Sequence, residues 1–236
     1  MDYIQTLRKK ELICGLIFLP IYIFVLPLAV GLVSYDLLGL FGIYPTEAKV
    51  TLLYYFVSLI IVLIIMGTYL KESFFTFIRR LGGSIYTVFV GYFVYAALLY
   101  AVSLLVSSLV TQQSPNPNNE AVLDLLRQNS KAMTLSSVIL APIVEESLFR
   151  GVIFAPLLKK NRLLAYALSF LIFAFYHLWQ YMIDGISTDF FVYLLQYLPG
   201  SIVLCWTYER SGTIWSPILL HSLINGAAVS AIRSFG

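Results

Sequence analysis

The chain has 236 residues, 60% of them hydrophobic and 11% charged, with a formal net charge of +3 and a mean hydropathy of +0.86. Soluble domains are nearer a quarter charged, so this composition excludes a soluble protein and specifies an all-α, polytopic membrane protein. The small positive charge sits at segment ends, as membrane topology requires, and excludes nucleic acid as a partner.

Arg8-Lys9-Lys10 precedes a first apolar span, Leu12–Ser34, which holds Pro20 and Pro27. This run is too long for a secretory signal core, lacks a clear cleavage site, and reads as a retained span. Val50–Leu70 is a second span, free of charge. In Lys71–Gly83, Phe74, Phe77, Ile78 and Leu81 recur at helical spacing beside Arg79 and Arg80, which predicts a short interfacial helix. Ile85–Val110 is the third span, and Gln112–Asn119 a Pro/Asn turn cluster. Glu120–Asn129 reads as a short amphipathic helix capped by Asn118 or Asn119. A fourth span begins near Thr134 and ends before Lys159-Lys160. The fifth is Leu163–Met182. The sixth, Phe190–Tyr208, is expected to be interrupted at Pro199-Gly200. The seventh starts at Ser216-Pro217, a cap followed by proline at the first helical position, and ends near Ile232. Cys14 and Cys205 both fall inside apolar runs and read as packing residues.

About seven transmembrane helices result. With a cytoplasmic N-terminus, ten Lys and Arg residues lie inside and four outside, in accord with the positive-inside rule. The odd number of spans puts the C-terminus outside. The first three spans carry almost no ionisable groups, whereas spans four, five and seven do. That asymmetry divides a supporting half, 1–131, from a working half, 132–236.

The working half centres on Glu145-Glu146-x-x-x-Arg150. Each charge at membrane depth costs at least about 2.5 kcal/mol, so their presence demands a use. Glu146 and Arg150 are four apart on one helix face, in the better order for an ion pair. Glu145 points about 100° away with no local partner, which suits a general base that takes a proton from water. Pro142 is expected to kink the helix and open room beside Glu145. Phe173-x-x-x-His177 and His221-x-x-x-Asn225 present two further side-chain pairs on single helix faces. Counted from the helix ends, Glu145, His177 and His221 can meet in the inner half of the bilayer, reached from the cytoplasmic side. His177 and His221 are the only two histidines of the chain. Phe173 reads as core, Tyr176, Trp179 and Tyr181 as an interface belt, and Asp184 and Asp189 as solvated loop residues.

These motifs, in this order, resemble the CAAX protease and bacteriocin-processing (CPBP, or Abi) family. The resemblance extends to Ala141-Pro142-Ile143-Val144, Phe149-Arg150-Gly151 and the stretch from Gly212 to Leu220. It covers about Thr134 to Ala228; the N-terminal half carries no family signature. It implies an intramembrane endopeptidase acting on a membrane-associated peptide or protein, of the CAAX-protein or peptide-precursor kind. Carried over by position, Glu145 and His177 activate a water, His221 and Asn225 stabilise the oxyanion, and Glu146 with Arg150 hold the site's shape. Amide hydrolysis needs that set: a base, donors for the tetrahedral oxygen and a proton for the amine. Cofactors remain open at this stage. Glu145, His177 and His221 also make a three-ligand zinc set, although no His-Glu-x-x-His helix is present, and the resemblance favours a metal-free site. Two other functions share the motifs: a self-immunity or binding protein that does not cut, and a proton-coupled transporter. The small size and the lack of repeats count against transport.

Overall fold

At membrane depth a backbone can satisfy its own N–H and C=O groups only as a helix or a closed barrel, and long apolar runs without breakers choose the helix. The computed structural model describes residues 4–109, 116–182 and 189–235, and every regular element among them is helical. We number them α1 (Lys9–Phe41), α2 (Glu47–Arg79), α3 (Leu81–Leu109), α4 (Pro117–Gln128), α5 (130–158), α6 (Arg162–Met182), α7 (Asp189–Ser211) and α8 (Trp215–Phe235). Six of these, α1, α2, α3, α6, α7 and α8, are long and apolar enough to cross a membrane. The expected fourth span is the helix α5, which is not among the six. Large apolar side chains such as Ile64 and Leu163 stand in the open on the outer faces of the six.

Helix α5 is the axis of the bundle. It packs against α1, α2, α4, α6 and α8, and from Leu140 to Ala155 nearly every residue is buried. It alternates α-helical segments with wider π turns at Ser136–Leu140 and Ser147–Phe154. The break expected at Pro142 therefore takes the form of register changes on either side of Ala141–Glu146. Similar π turns follow Pro20 and Pro27 in α1, at Ile21–Val25 and Val33–Leu37. Where proline has already removed an N–H, a wider turn costs little.

Several expectations are corrected. No separate interfacial helix occupies Lys71–Gly83; α2 runs unbroken to Arg79 and α3 starts at Leu81. Charges mark the end of an apolar run, but Lys, Glu and Ser are all compatible with a continuing helix. Asn116, not Asn118 or Asn119, caps α4: its side chain accepts from the Asn118 N–H at 3.0 Å, ahead of Pro117. Pro199 and Gly200 do not interrupt α7, since neighbouring helices support a proline inside a packed helix. Helix α8 begins at Trp215, so Ser216 is not its cap. Residues 112–115 of the turn cluster at 112–119 lie outside the described residues, as does Asp184. Both cysteines are free, and the buried Cys205 Sγ donates to Ser169 Oγ at 3.2 Å.

One end of the bundle is closed by polar contacts between helix ends. Arg8 pairs with Glu72, Lys159 donates to Thr6 at 3.0 Å and Arg162 meets Glu209 at 2.9 Å. The α7–α8 turn passes through Gly212 at φ +73°, a left-handed conformation that glycine adopts without strain. It is pinned to α2: Ile214 N–H donates to Ser73 Oγ at 3.0 Å, Thr213 Oγ1 to the Ser73 carbonyl at 2.9 Å, and the Trp215 indole to the Leu70 carbonyl at 2.9 Å. This anchor fixes where α8 starts, and hence where His221 falls.

Helices α1 and α5 approach closely at Gly15, where an added Cβ would lie 2.6 Å from Val152 Cγ2 and 2.7 Å from Met66 Cε. The stiff valine cannot yield. Gly15→Leu is therefore expected to destabilise the bundle by about 1–3 kcal/mol, read as a lowered thermal unfolding midpoint in detergent. An unchanged midpoint would contradict the packing.

Candidate active site

Glu145, Glu146 and Arg150 leave α5 in the midst of the bundle, and all three are buried, Glu146 and Arg150 completely. The predicted pair forms: Arg150 donates to Glu146 Oε1 at 3.0 Å. The same oxygen lies 2.8 Å from His221 Nδ1 on α8. A carboxylate only accepts, so Nδ1 carries the proton and Nε2 is left facing Glu145. That nitrogen is 3.9 Å from Glu145 Oε2, too far for a direct hydrogen bond but within reach of one shared water. The Arg150 guanidinium also lies over the Phe173 ring, 4.6 Å from its centroid, a cation–π contact strengthened by the dry surroundings.

The second histidine stands apart from the carboxylates. His177 Nδ1 is 2.8 Å from the Phe173 carbonyl of its own helix. A carbonyl cannot donate, so this nitrogen is the N–H and Nε2 of the neutral ring is an acceptor. The ring packs on Phe173 at 4.5 Å and Tyr197 at 4.9 Å between centroids. No contact of ion-pair length joins it to Glu145; the imidazole nearest Glu145 is that of His221. Asn225 donates one amide hydrogen to the Ser137 carbonyl at 2.8 Å, which keeps its second hydrogen for another acceptor.

All four residues expected to be catalytic, Glu145, His177, His221 and Asn225, line one cavity of about 950 Å³. Phe173 is core as expected, yet its ring also forms part of the wall. The cavity does not open at the end where the basic residues gather, as the sequence suggested. Its outer wall comes from the last turns of α3 and α8, the first turns of α5, and α4. Counting residues from helix ends gave a depth, but not the direction in which α3 and α8 part.

Sequence reasoning missed a chain of phenols. Tyr55 of α2 donates to Glu145 Oε1 at 3.0 Å. Its oxygen is 3.3 Å from that of Tyr176, which is 2.7 Å from that of Tyr22. Tyr176 is therefore not a belt residue; it stacks on Tyr22 and lies behind the acid. Trp179, by contrast, packs edge-on against Phe24 near the surface. The available signal was Tyr54-Tyr55, two adjacent polar-tipped rings in a span free of charge. The sequence also understated Glu146, which joins α8 to α5 as well as holding Arg150.

Metal ligation fits this arrangement poorly. Among the described residues, no three His, Cys, Asp or Glu side chains converge on one ion position. The zinc set of Glu145, His177 and His221 is not assembled, because His221 lies 3.9 Å from Glu145 while no contact of that length joins His177 to Glu145.

With this geometry in view, the comparisons with known proteins can be placed. The family described as "Type II CAAX prenyl endopeptidase Rce1-like" matches residues 127–227. Over that segment the chain is similar to the Rce1-like family. The match takes in Glu145, Glu146, Arg150, His177, His221 and Asn225. The chain is similar to "Putative membrane peptidase YdiL" of Bacillus subtilis, 32% identical over 108 residues, or 46% of this chain and 40% of the relative. It is 31% identical over 100 residues to "UPF0177 protein YxdF" of Lactococcus lactis, or 41% of this chain and 50% of that protein. It is 29% identical over 144 residues to "Membrane-embedded CAAX protease MroQ" of Staphylococcus aureus, or 56% and 53%. The matches thus span about half the length of these curated relatives or less. No solved structure shows a significant match.

The geometry separates the two adjacent acids. Glu146→Ala strands Arg150 as an unpaired buried cation and is expected to cost about 3–5 kcal/mol. Glu145→Gln keeps the volume and an acceptor for Tyr55, and is expected to leave the fold intact. Thermal unfolding of the two variants in detergent checks the contrast, and equal losses would contradict it.

Proposed function

We propose that this protein is an intramembrane endopeptidase that hydrolyses a peptide bond in a membrane-associated peptide or protein, using water activated by Glu145. The observation that carries this assignment is the buried Glu145 carboxylate, held by Tyr55 and set one water's width from His221 Nε2 inside a cavity large enough for a peptide segment. The similarity of residues 127–227 to the Rce1-like family supports it.

In this mechanism Glu145 removes a proton from water as the water oxygen attacks the scissile carbonyl carbon. The carbonyl electrons move to oxygen, and the second amide hydrogen of Asn225 is a donor for that oxyanion. Collapse breaks the C–N bond, and the proton held by Glu145 passes to the leaving amine. His221 accepts a hydrogen bond from the water's second hydrogen at Nε2 and so orients the attacking oxygen, while Glu146 steadies the imidazole through Nδ1. His177, an acceptor at Nε2, holds the water or the amine from the other side of the cavity. No serine or cysteine nucleophile is needed, and no step runs through a metal.

The division into a supporting half, 1–131, and a catalytic core, 132–236, is part of this proposal, with Tyr55 as the support's contribution to the chemistry. So is a seventh span formed by α5, with the N-terminus in the cytoplasm.

Comparative mass spectrometry of membrane and secreted peptides tests the assignment. Cells carrying Glu145→Gln are expected to accumulate untrimmed species, with cleavage reduced about 10²–10⁴-fold. Identical peptide profiles would count against proteolysis, and protection against a bacteriocin retained in that variant would favour a non-cutting immunity protein. Tyr55→Phe is expected to slow cleavage about tenfold, the worth of one charge-assisted hydrogen bond. A zinc chelator is expected to leave the purified enzyme's rate unchanged; loss of activity restored by added zinc would overturn the metal-free mechanism.

A further inference from the structure

The two ends of the bundle are chemically unlike, and polar contacts identify each of them. At one end meet the start of α1, the end of α2, the α5–α6 turn and the α7–α8 turn, joined by Arg8–Glu72, Lys159–Thr6 and Arg162–Glu209. At the other end Gln128 of α4 donates to Glu47 of α2 at 3.1 Å, and Arg233 of α8 donates to Thr134 of α5 at 2.7 Å. The cavity belongs wholly to this second end. Its outer wall includes Ser107 of α3, Asn119 and Leu123 of α4, Met133 of α5 and Ile232 of α8. It narrows inward to Tyr55, Glu145 and His221. Beyond them the bundle is filled by Leu148, Phe149, Phe154 and Tyr208, all buried, so no continuation leads to the basic end.

The rim is rich in side-chain amides. Asn116 donates to Gln196 at 2.8 Å across the gap between α4 and α7, and Asn118 and Asn119 follow on α4. Among the described residues no Lys or Arg lines the cavity, and its charged side chains are Glu120 near the mouth and Glu145 at the base. Amide side chains offer both a donor and an acceptor, the complement of an extended peptide backbone. Cations concentrate on the cytoplasmic side of membrane proteins, and here ten of the fifteen Lys and Arg residues lie at the closed end.

We infer that the active-site cavity opens to the external face of the membrane and takes a neutral or cationic peptide segment presented from that side. This inference rests on the peptidase assignment for the nature of the occupant, but not for the direction of the opening. A cytoplasmic chain terminus would meet the filled end of the bundle, and a free C-terminal carboxylate would find no cation in the cavity.

Single cysteines test the direction. Asn119→Cys and Ser107→Cys place a thiol at the rim, and Lys160→Cys places one on the basic end; none of these residues belongs to the proposed chemistry. Intact cells are treated with a charged, membrane-impermeant maleimide, with the parent chain, holding only Cys14 and Cys205, as background. The rim thiols are expected to react to the same extent before and after permeabilisation, and the Lys160→Cys thiol only after it. Rim thiols that react only after permeabilisation overturn the inference, as does the reverse pattern. Labelling needs no turnover, so its outcome is independent of whether the protein cuts peptides. If it does, external maleimide on Asn119→Cys is expected to abolish cleavage while leaving the parent chain active.

Discussion

One carboxylate oxygen, Glu146 Oε1, accepts from both Arg150 and His221, and the rest of the site is built around it. It joins two donors from different helices in a place where water cannot substitute. A buried charge pair is held together by geometry more than by net energy, because desolvation consumes much of the Coulombic gain. The shared oxygen supplies that geometry. It fixes the rotation of α8 relative to α5 and the tautomer of the imidazole, and leaves the second imidazole nitrogen no direction but toward Glu145. The packing of Phe173 over Arg150 and the anchoring of the α7–α8 turn on Ser73 keep both helices at the required height.

Two acids adjacent in sequence thus do different work because a helix points them apart. Glu146 receives both of its donors on one oxygen, on the protein side. Glu145 faces the cavity, with a phenol as its hydrogen-bond partner and an imidazole just beyond contact. Tyr55 aims one oxygen of that carboxylate and leaves the other toward His221. Behind Tyr55, the oxygens of Tyr176 and Tyr22 extend the hydrogen-bonded chain through the interior. The phenol set is contributed by three helices, α1, α2 and α6, so the N-terminal part of the protein shares in orienting the acid.

What the sequence made legible was local. The spacing of Glu146 and Arg150 foretold their pair, because residues four apart on a helix are neighbours whatever surrounds them. His221 and Asn225 were likewise visible as one face, and the length and apolarity of the runs foretold an all-helical bundle. Contacts between distant segments left no such mark. Nothing in the order of residues joins Tyr55 to Glu145, and Tyr176 near the end of an apolar run looks like any interfacial aromatic. The same limit explains the helix ends. Lys71 and Glu72 close an apolar run but do not stop a helix, and Pro199 looks like a breaker until the surrounding helices support it. The opening of the cavity depends on how two helices diverge, a property that belongs to neither of them alone.

The π turn at Ser147–Phe154 sets the facing of everything that follows it in α5. A wider turn holds one more residue than the α form needs, so the extra residue is absorbed locally and the helix beyond it keeps its facing. Were the same residues wound as a plain α-helix, the distal part would turn by about 100°. Val152 would then leave the notch at Gly15, and the partners of Phe154 and Leu158 would change in the same movement. The winding and the number of residues in this stretch are therefore matched to each other: side chains here can be exchanged one at a time, whereas a change of winding rotates the helix as a unit.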